Sequence, residues 1–91
     1  MHMSFRRNTG DVLEAIRRVL TPYVGKLMAG TAAAAHCQEL GLHGLELNQD
    51  QIEALLKKLG LGLIVFIGKD KAASVVAAMR SEIENLREPA A

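Results

Sequence analysis

The chain repeats itself, and the repeat limits its fold more than any single motif does. "DVLEAIRRVL" at 11–20 aligns with "DQIEALLKKL" at 50–59 at an offset of 39, with Asp, Glu, Ala and the final Leu identical. "LTPYVGKLMAGTAAAAHCQEL" at 20–40 aligns with "LIVFIGKDKAASVVAAMRSEI" at 63–83 at an offset of 43, with seven of 21 positions identical. Tyr23 falls opposite Phe66, Val24 opposite Ile67 and Thr31 opposite Ser74. The change of offset gives the second copy four extra residues, the "GLGL" stretch. Internal repetition on this scale predicts an all-α fold of four to five helices. It would be built as a duplicated helix-hairpin unit, about 9–41 and 48–87, with pseudo-twofold symmetry.

Apolar spacing places the helices. Val12, Ile16, Val19 and Leu20 recur at helical intervals behind Thr9, a candidate N-cap. Thr21-Pro22 reads as the N-cap and first residue of a second helix running to Leu40, stopped by Gly41. Asn48 and Gln51 form a capping box ahead of Ile52, Leu55, Leu56 and Leu59. A last helix follows Gly68, with Ala72, Val75, Val76, Met79, Ile83 and Leu86 on one face, and Pro89 ends it. Gly60 and Gly62 suggest a break before Leu61–Ile67, a continuous apolar run that suits a buried strand or buried helical turns equally.

At 91 residues the chain is expected to be one small domain, 1–91, with a modest core. Aromatic residues make up only 3%, so that core is aliphatic and alanine-rich. A net charge of +1 supplies no global field for nucleic acid or an anionic membrane. One cysteine, Cys37, excludes an internal disulfide, and a soluble cytoplasmic protein is the expectation. The opening Met-His-Met reads as a cloning scar before a start near Met3.

The Gly-Lys pairs, Gly25-Lys26 and Gly68-Lys69, raise the question of phosphate binding. A Walker-type loop needs four residues between its glycines and a hydroxyl after the lysine. Five separate Gly62 from Gly68 and Asp70 follows Lys69, so that motif is excluded. "VGKLMA" at 24–29 and "IGKDKA" at 67–72 resemble the turns of the helix-hairpin-helix nucleic-acid-binding family, which often uses two copies about a pseudo-twofold axis. The resemblance implies that Gly25, Lys26, Gly68 and Lys69 present helix N-terminal N–H groups to a phosphate. Tyr23 and Phe66 stand where that family places its first glycine. A packing role competes with this reading. Gly25, Ala29, Gly30, Ala33 and Ala34, and again Gly68, Ala72 and Ala73, make small faces on which two helices can cross closely, with Tyr23 and Phe66 mostly buried.

No catalytic or metal constellation is legible. His36 and Cys37 are neighbours on a helix and diverge by about 100°. His2, His36 and His43 lack ligand spacing, and no carboxylate pair sits among apolar residues. The expectation is a protein without enzymatic activity, cofactor or metal. Two readings follow. In the first, a protein–protein interaction module self-associates as a homodimer, or binds another protein, through Leu63, Ile64, Val65 and Phe66 with Leu45 and Leu47. In this reading Ile64–Ile67 is a candidate pairing edge. In the second, a nucleic-acid-binding domain uses the two Gly-Lys turns with Arg6, Arg7, Arg17 and Arg18 on one face.

Overall fold

The computed structural model describes residues 5–87, so the readings of the opening Met-His-Met, of His2 and of Pro89 fall outside the described residues. The chain is mostly helical. A three-residue strand, β1 (Arg6–Asn8), leads into α1 (Thr9–Val24) and α2 (Lys26–Glu39). A second, β2 (Glu46–Asn48), leads into α3 (Gln49–Ile67) and α4 (Lys69–Glu84). The strands pair antiparallel, Arg6 with Asn48, Arg7 with Leu47 and Asn8 with Glu46. No strand was legible at either place, because three-residue segments carry no periodic signal.

Both leading helices are capped by an asparagine at the end of a strand. Asn48 Oδ1 accepts from the Gln51 N–H at 2.9 Å and Gln51 Oε1 accepts from the Asn48 N–H at 2.8 Å, the expected capping box. The other cap is Asn8, not Thr9: Asn8 Oδ1 accepts from the Asp11 N–H at 3.1 Å. Thr9 is already helical and ties down the loop before β2, its N–H to the Leu45 carbonyl and its hydroxyl to the Gly44 carbonyl.

Three further expectations are corrected. Thr21-Pro22 does not open a helix, since α1 runs through it to Val24. Pro22 stands in the last turn, where its missing N–H removes one helical bond, and Gly25 N–H still reaches the Thr21 carbonyl. Gly60 and Gly62 do not break α3, so Leu61–Ile67 is helical and offers no strand edge. The stripe of Leu55, Leu59 and Leu63 stays buried across both glycines, and this outweighs their poor helix propensity. The N-caps lie 40 positions apart, not 39. Val12 and Ile52, Ala15 and Leu55, and Ile16 and Leu56 are buried at that same spacing. With leading helices of 16 and 19 residues, the stretch before the second turn is longer by three residues, not four.

The turns between helices are single glycines. Gly25 (φ 88, ψ 158) and Gly68 (φ 85, ψ 164) occupy a backbone region that only glycine enters without strain. A Cβ at either position would meet nothing within 4 Å, so their role is conformational and the close-packing reading fails there. The close approach is at Gly60, where a Cβ would lie 2.9 Å from Val76 Cγ2. Gly41 (φ 70) ends α2 as expected, just beyond the Leu40 C-cap.

The helices form a ring of neighbours: α1 on α2, α2 on α3, α3 on α4 and α4 on α1. Inside it pack Val12, Ile16 and Leu20, Ala29 and Ala33, Ile52, Leu55, Leu56, Leu59 and Leu63, and Val75, Met79 and Ile83. At the strand end, Arg7 is 6% exposed. Its Nε donates to the Ile83 carbonyl at 3.3 Å and its Nη2 to the Glu84 carbonyl at 3.2 Å, covering the C-terminal carbonyls of α4. Its guanidinium also stacks 3.9 Å from the centre of the Phe5 ring.

Two stability measurements check this account. Arg7→Leu leaves one buried and one partly buried carbonyl without that donor and is expected to lower stability in urea by about 1–3 kcal/mol. Gly68→Ala is expected to cost about 1–3 kcal/mol from its φ alone. Gly62→Ala, on a helix with open space around it, should instead stabilise by roughly 0.5–1 kcal/mol.

Candidate interaction surface

Because α1 and α3 both start at the strand pair, they carry the two glycine turns away from it by about 24 and 28 Å at 1.5 Å per residue. The turns come together at that far end. A crevice of about 70 Å³ is lined by Val24 and Met28 from the first hairpin and by Leu63 and Phe66 from the second. Around it the apolar residues outnumber the places available inside. Leu27 is 85% exposed, Val65 84% and Phe66 64%, and Tyr23, Met28, Leu61 and Ile64 are substantially exposed as well. A 91-residue chain has little interior to offer them.

The residues singled out from sequence divide accordingly. Ile64, Val65 and Phe66 lie on this apolar end. Leu63 reaches it only as a buried wall of the crevice, facing the core one helical position before Ile64, and Leu47 does not reach it, being the inward residue of β2. Leu45 is exposed but stands in the loop before β2, at the opposite end. Tyr23 and Phe66 are not buried, because each sits two residues before its turn glycine, in the last turn of its helix. Leu27 and Met28 escaped sequence reasoning. The available signal was that they fall outside the Ala29, Ala33, Cys37 stripe by which α2 joins the core.

Lys26 and Lys69 open α2 and α4 at this same end. The arginines do not join them on one face. Arg6 pairs with Glu46 at 3.5 Å and Arg7 is turned inward, both at the strand end. Arg17 pairs with Glu14, and Arg18 with Glu82 at 3.6 Å. Hydrogen bonds from Arg17 hold the Glu14 carboxyl below its usual range.

Beside the apolar end, the outer side of the α3–α4 hairpin is a trough of about 450 Å³. Leu56, Gly60, Leu61, Ile64, Ala73 and Val76 form its floor and walls. Arg80 and Glu53 close one end in a two-armed pair at 2.9 and 2.7 Å. Lys57 and Lys69 stand on its rim. The thiol of Cys37 is buried, donates to the Leu42 carbonyl at 3.3 Å and is raised in pKa by desolvation. Glu39 is lowered by its hydrogen bond to His36 and by Lys58. Among the described residues no three His, Cys, Asp or Glu side chains converge as metal ligands, and no helix is long and apolar enough to cross a membrane. No protein-family model, curated protein or solved structure matches the chain.

The Arg80 hydrogen bonds hold the Glu53 carboxyl below its usual range. A depressed carboxylate stabilises the fold at pH values above its unfolded pKa, and that stability is lost as pH falls through the folded value. Since the pair is partly solvated, its contribution is only about 0.2–1 kcal/mol. Glu53→Gln should therefore be slightly less stable at neutral pH, and its acid-unfolding curve should be shallower than that of the parent, as read by circular dichroism.

Proposed function

We propose that the chain is a non-enzymatic protein–protein interaction module that self-associates through the apolar end carrying the two glycine turns. One observation carries this reading: Met28 from the first hairpin and Phe66 from the second line one crevice, and Tyr23, Leu27 and Val65, each within three residues of a glycine turn, are exposed at the same end. With Leu61 and Ile64 beside them they make seven substantially exposed apolar side chains, the kind of surface that an interface taking about 800 Å² from each partner covers. Lys26, Lys69 and Asp70 at the helix starts supply both signs of charge, so two such ends can meet without like charges opposed throughout.

The reading includes a duplicated architecture in a single domain, two strand–helix–glycine–helix units about a pseudo-twofold axis. It is supported by the repeated element order, by the like conformations of Gly25 and Gly68, and by the pairing of Arg7 with Leu47, each the middle residue of its own three-residue strand. Self-association end to end by a twofold operation is the commonest closed arrangement for such a surface. The single cysteine, buried and reduced, suits a cytoplasmic setting.

Sedimentation equilibrium tests the proposal. The parent chain is expected to be dimeric at high micromolar concentration. Val65→Asp and Leu27→Asp should be folded monomers with unchanged helical circular dichroism, and Leu45→Asp, at the opposite end, should remain dimeric. A parent chain that stays monomeric at high micromolar concentration overturns it.

A further inference from the structure

The trough along α3 and α4 adjoins the end surface and shares Leu61, Ile64 and Lys69 with it, but its chemistry selects a different kind of occupant. Its walls differ from those of a wider hollow of about 630 Å³ on the first hairpin, lined by Arg17, Lys26, Leu27, Gly30, Thr31 and Ala34. In the first, the aliphatic stem of Arg17 lies over Gly30, with its Cδ 3.7 Å from where a Cβ would be. In the second, Gly60 has no side chain to extend and fits against Val76, leaving the surface above open between Leu61 and Ile64 on one helix and Ala73 on the other.

The trough extends from the Glu53–Arg80 pair to Ile64 and Lys69, about 16 Å along α3, which is three turns of an apposed helix. Its floor is apolar and its rim is cationic. Lys57 and Lys69 form no ion pair among the described residues, whereas the one carboxylate on the rim, Glu53, is already held by Arg80. We infer that this trough binds an amphipathic helix of another protein, one with a three-turn apolar stripe bordered by carboxylates. The stripe would place apolar side chains at i, i+4 and i+7 over Gly60 and Ala73, with its acidic residues meeting Lys57 and Lys69. A second copy of this chain fits poorly as the occupant. Leu27 and Met28, exposed in its first hairpin, are flanked by Lys26, and its own acidic residues on α4 border a stripe already buried in the core.

The test uses two labelled synthetic helical peptides of about three to four turns, identical in a Leu stripe at i, i+4 and i+7. One has Glu and the other Lys on both borders. Fluorescence anisotropy against the full chain should give micromolar binding of the Glu peptide, at least about tenfold tighter than the Lys peptide and weakened by salt. Ala73→Glu, at an exposed position, should abolish binding while the circular dichroism is unchanged. The double reversal Lys57→Glu with Lys69→Glu should exchange the two peptides' affinities. Amide shifts in nitrogen-15 spectra should centre on Gly60 and Ala73. Repeating the titration on Val65→Asp separates this proposal from self-association, because trough binding should persist in a monomer. The proposal is overturned if neither peptide binds, if both bind equally, or if the shifts centre on Leu27 and Val65. It is also overturned if vesicles of phosphatidylserine bind through Lys57 and Lys69 while the Glu peptide does not.

Discussion

The arrangement depends on a strand pair only three residues long. Pairing Arg7 with Leu47 joins the segments that lead into α1 and α3, which leave it from opposite ends of the antiparallel ladder and take diagonal places in the ring, so the return helices fill the remaining two positions. Six residues of sheet would be marginal alone. Here they are reinforced by side chains that belong to the helices' own ends. Asn8 and Asn48 close each strand and cap each helix in one residue, and the Arg7 guanidinium reaches across to the last carbonyls of α4. The junction therefore satisfies strand, helix N-terminal and helix C-terminal groups together. A buried guanidinium is tolerable there because the carbonyl dipoles at a helix C-terminus supply the negative end it needs.

At the other end the constraint is conformational. A one-residue connection between antiparallel helices demands a backbone geometry that excludes side chains, and Gly25 and Gly68 meet it with nearly the same angles. Such short turns leave no loop to fold back over the helix ends. Leu27, Val65 and Phe66, within three residues of a turn, are left in solvent as a direct consequence. The exposed apolar end and the economy of the turns thus have one cause. A longer connection would have hidden part of the surface and loosened the hairpin.

Much of this was legible in the residues themselves. The Asn48 capping box, the stop at Gly41 and the buried stripes of α3 and α4 follow from local chemistry repeated at helical intervals, and those readings hold. Thr21-Pro22 and Gly60-Leu61-Gly62 misled because propensity was weighed locally while the outcome is set by burial: in each case the helix continues toward a glycine turn that lies beyond the apparent breaker. The alignment offset misled for a related reason. Asp11 and Glu14 match Asp50 and Glu53 by identity, but these face solvent, whereas burial repeats at the Val12–Ile52 spacing. Arg7 had no signal at all, since an arginine in a polar N-terminal segment reads as solvated until a helix end is brought to it from 76 residues away. For the surface, Val65 and Phe66 were legible as excess apolar residues, but Leu63 differs from Ile64 only by helical phase, which required the 61–67 segment to be known as helix.

The two hairpins differ where differences are least costly to the core. The inward residues of α1 and α3 stay apolar throughout, while the outward side carries an arginine stem over Gly30 in one hairpin and Gly60 packed against Val76 in the other. The extra length of the second hairpin falls at the apolar end, not at the strand pair, where an inserted residue would rotate Asn48 away from its capping position or shift the Arg7–Leu47 register. Added length at the far end costs neither, and there Ile64 and Val65 lie beyond Leu63, the last buried residue of α3, with Leu61 exposed two positions before it. A junction that tolerates no change and a far end that tolerates length and side-chain variation confine new surface to the glycine-turn end and to the outer face of α3 and α4.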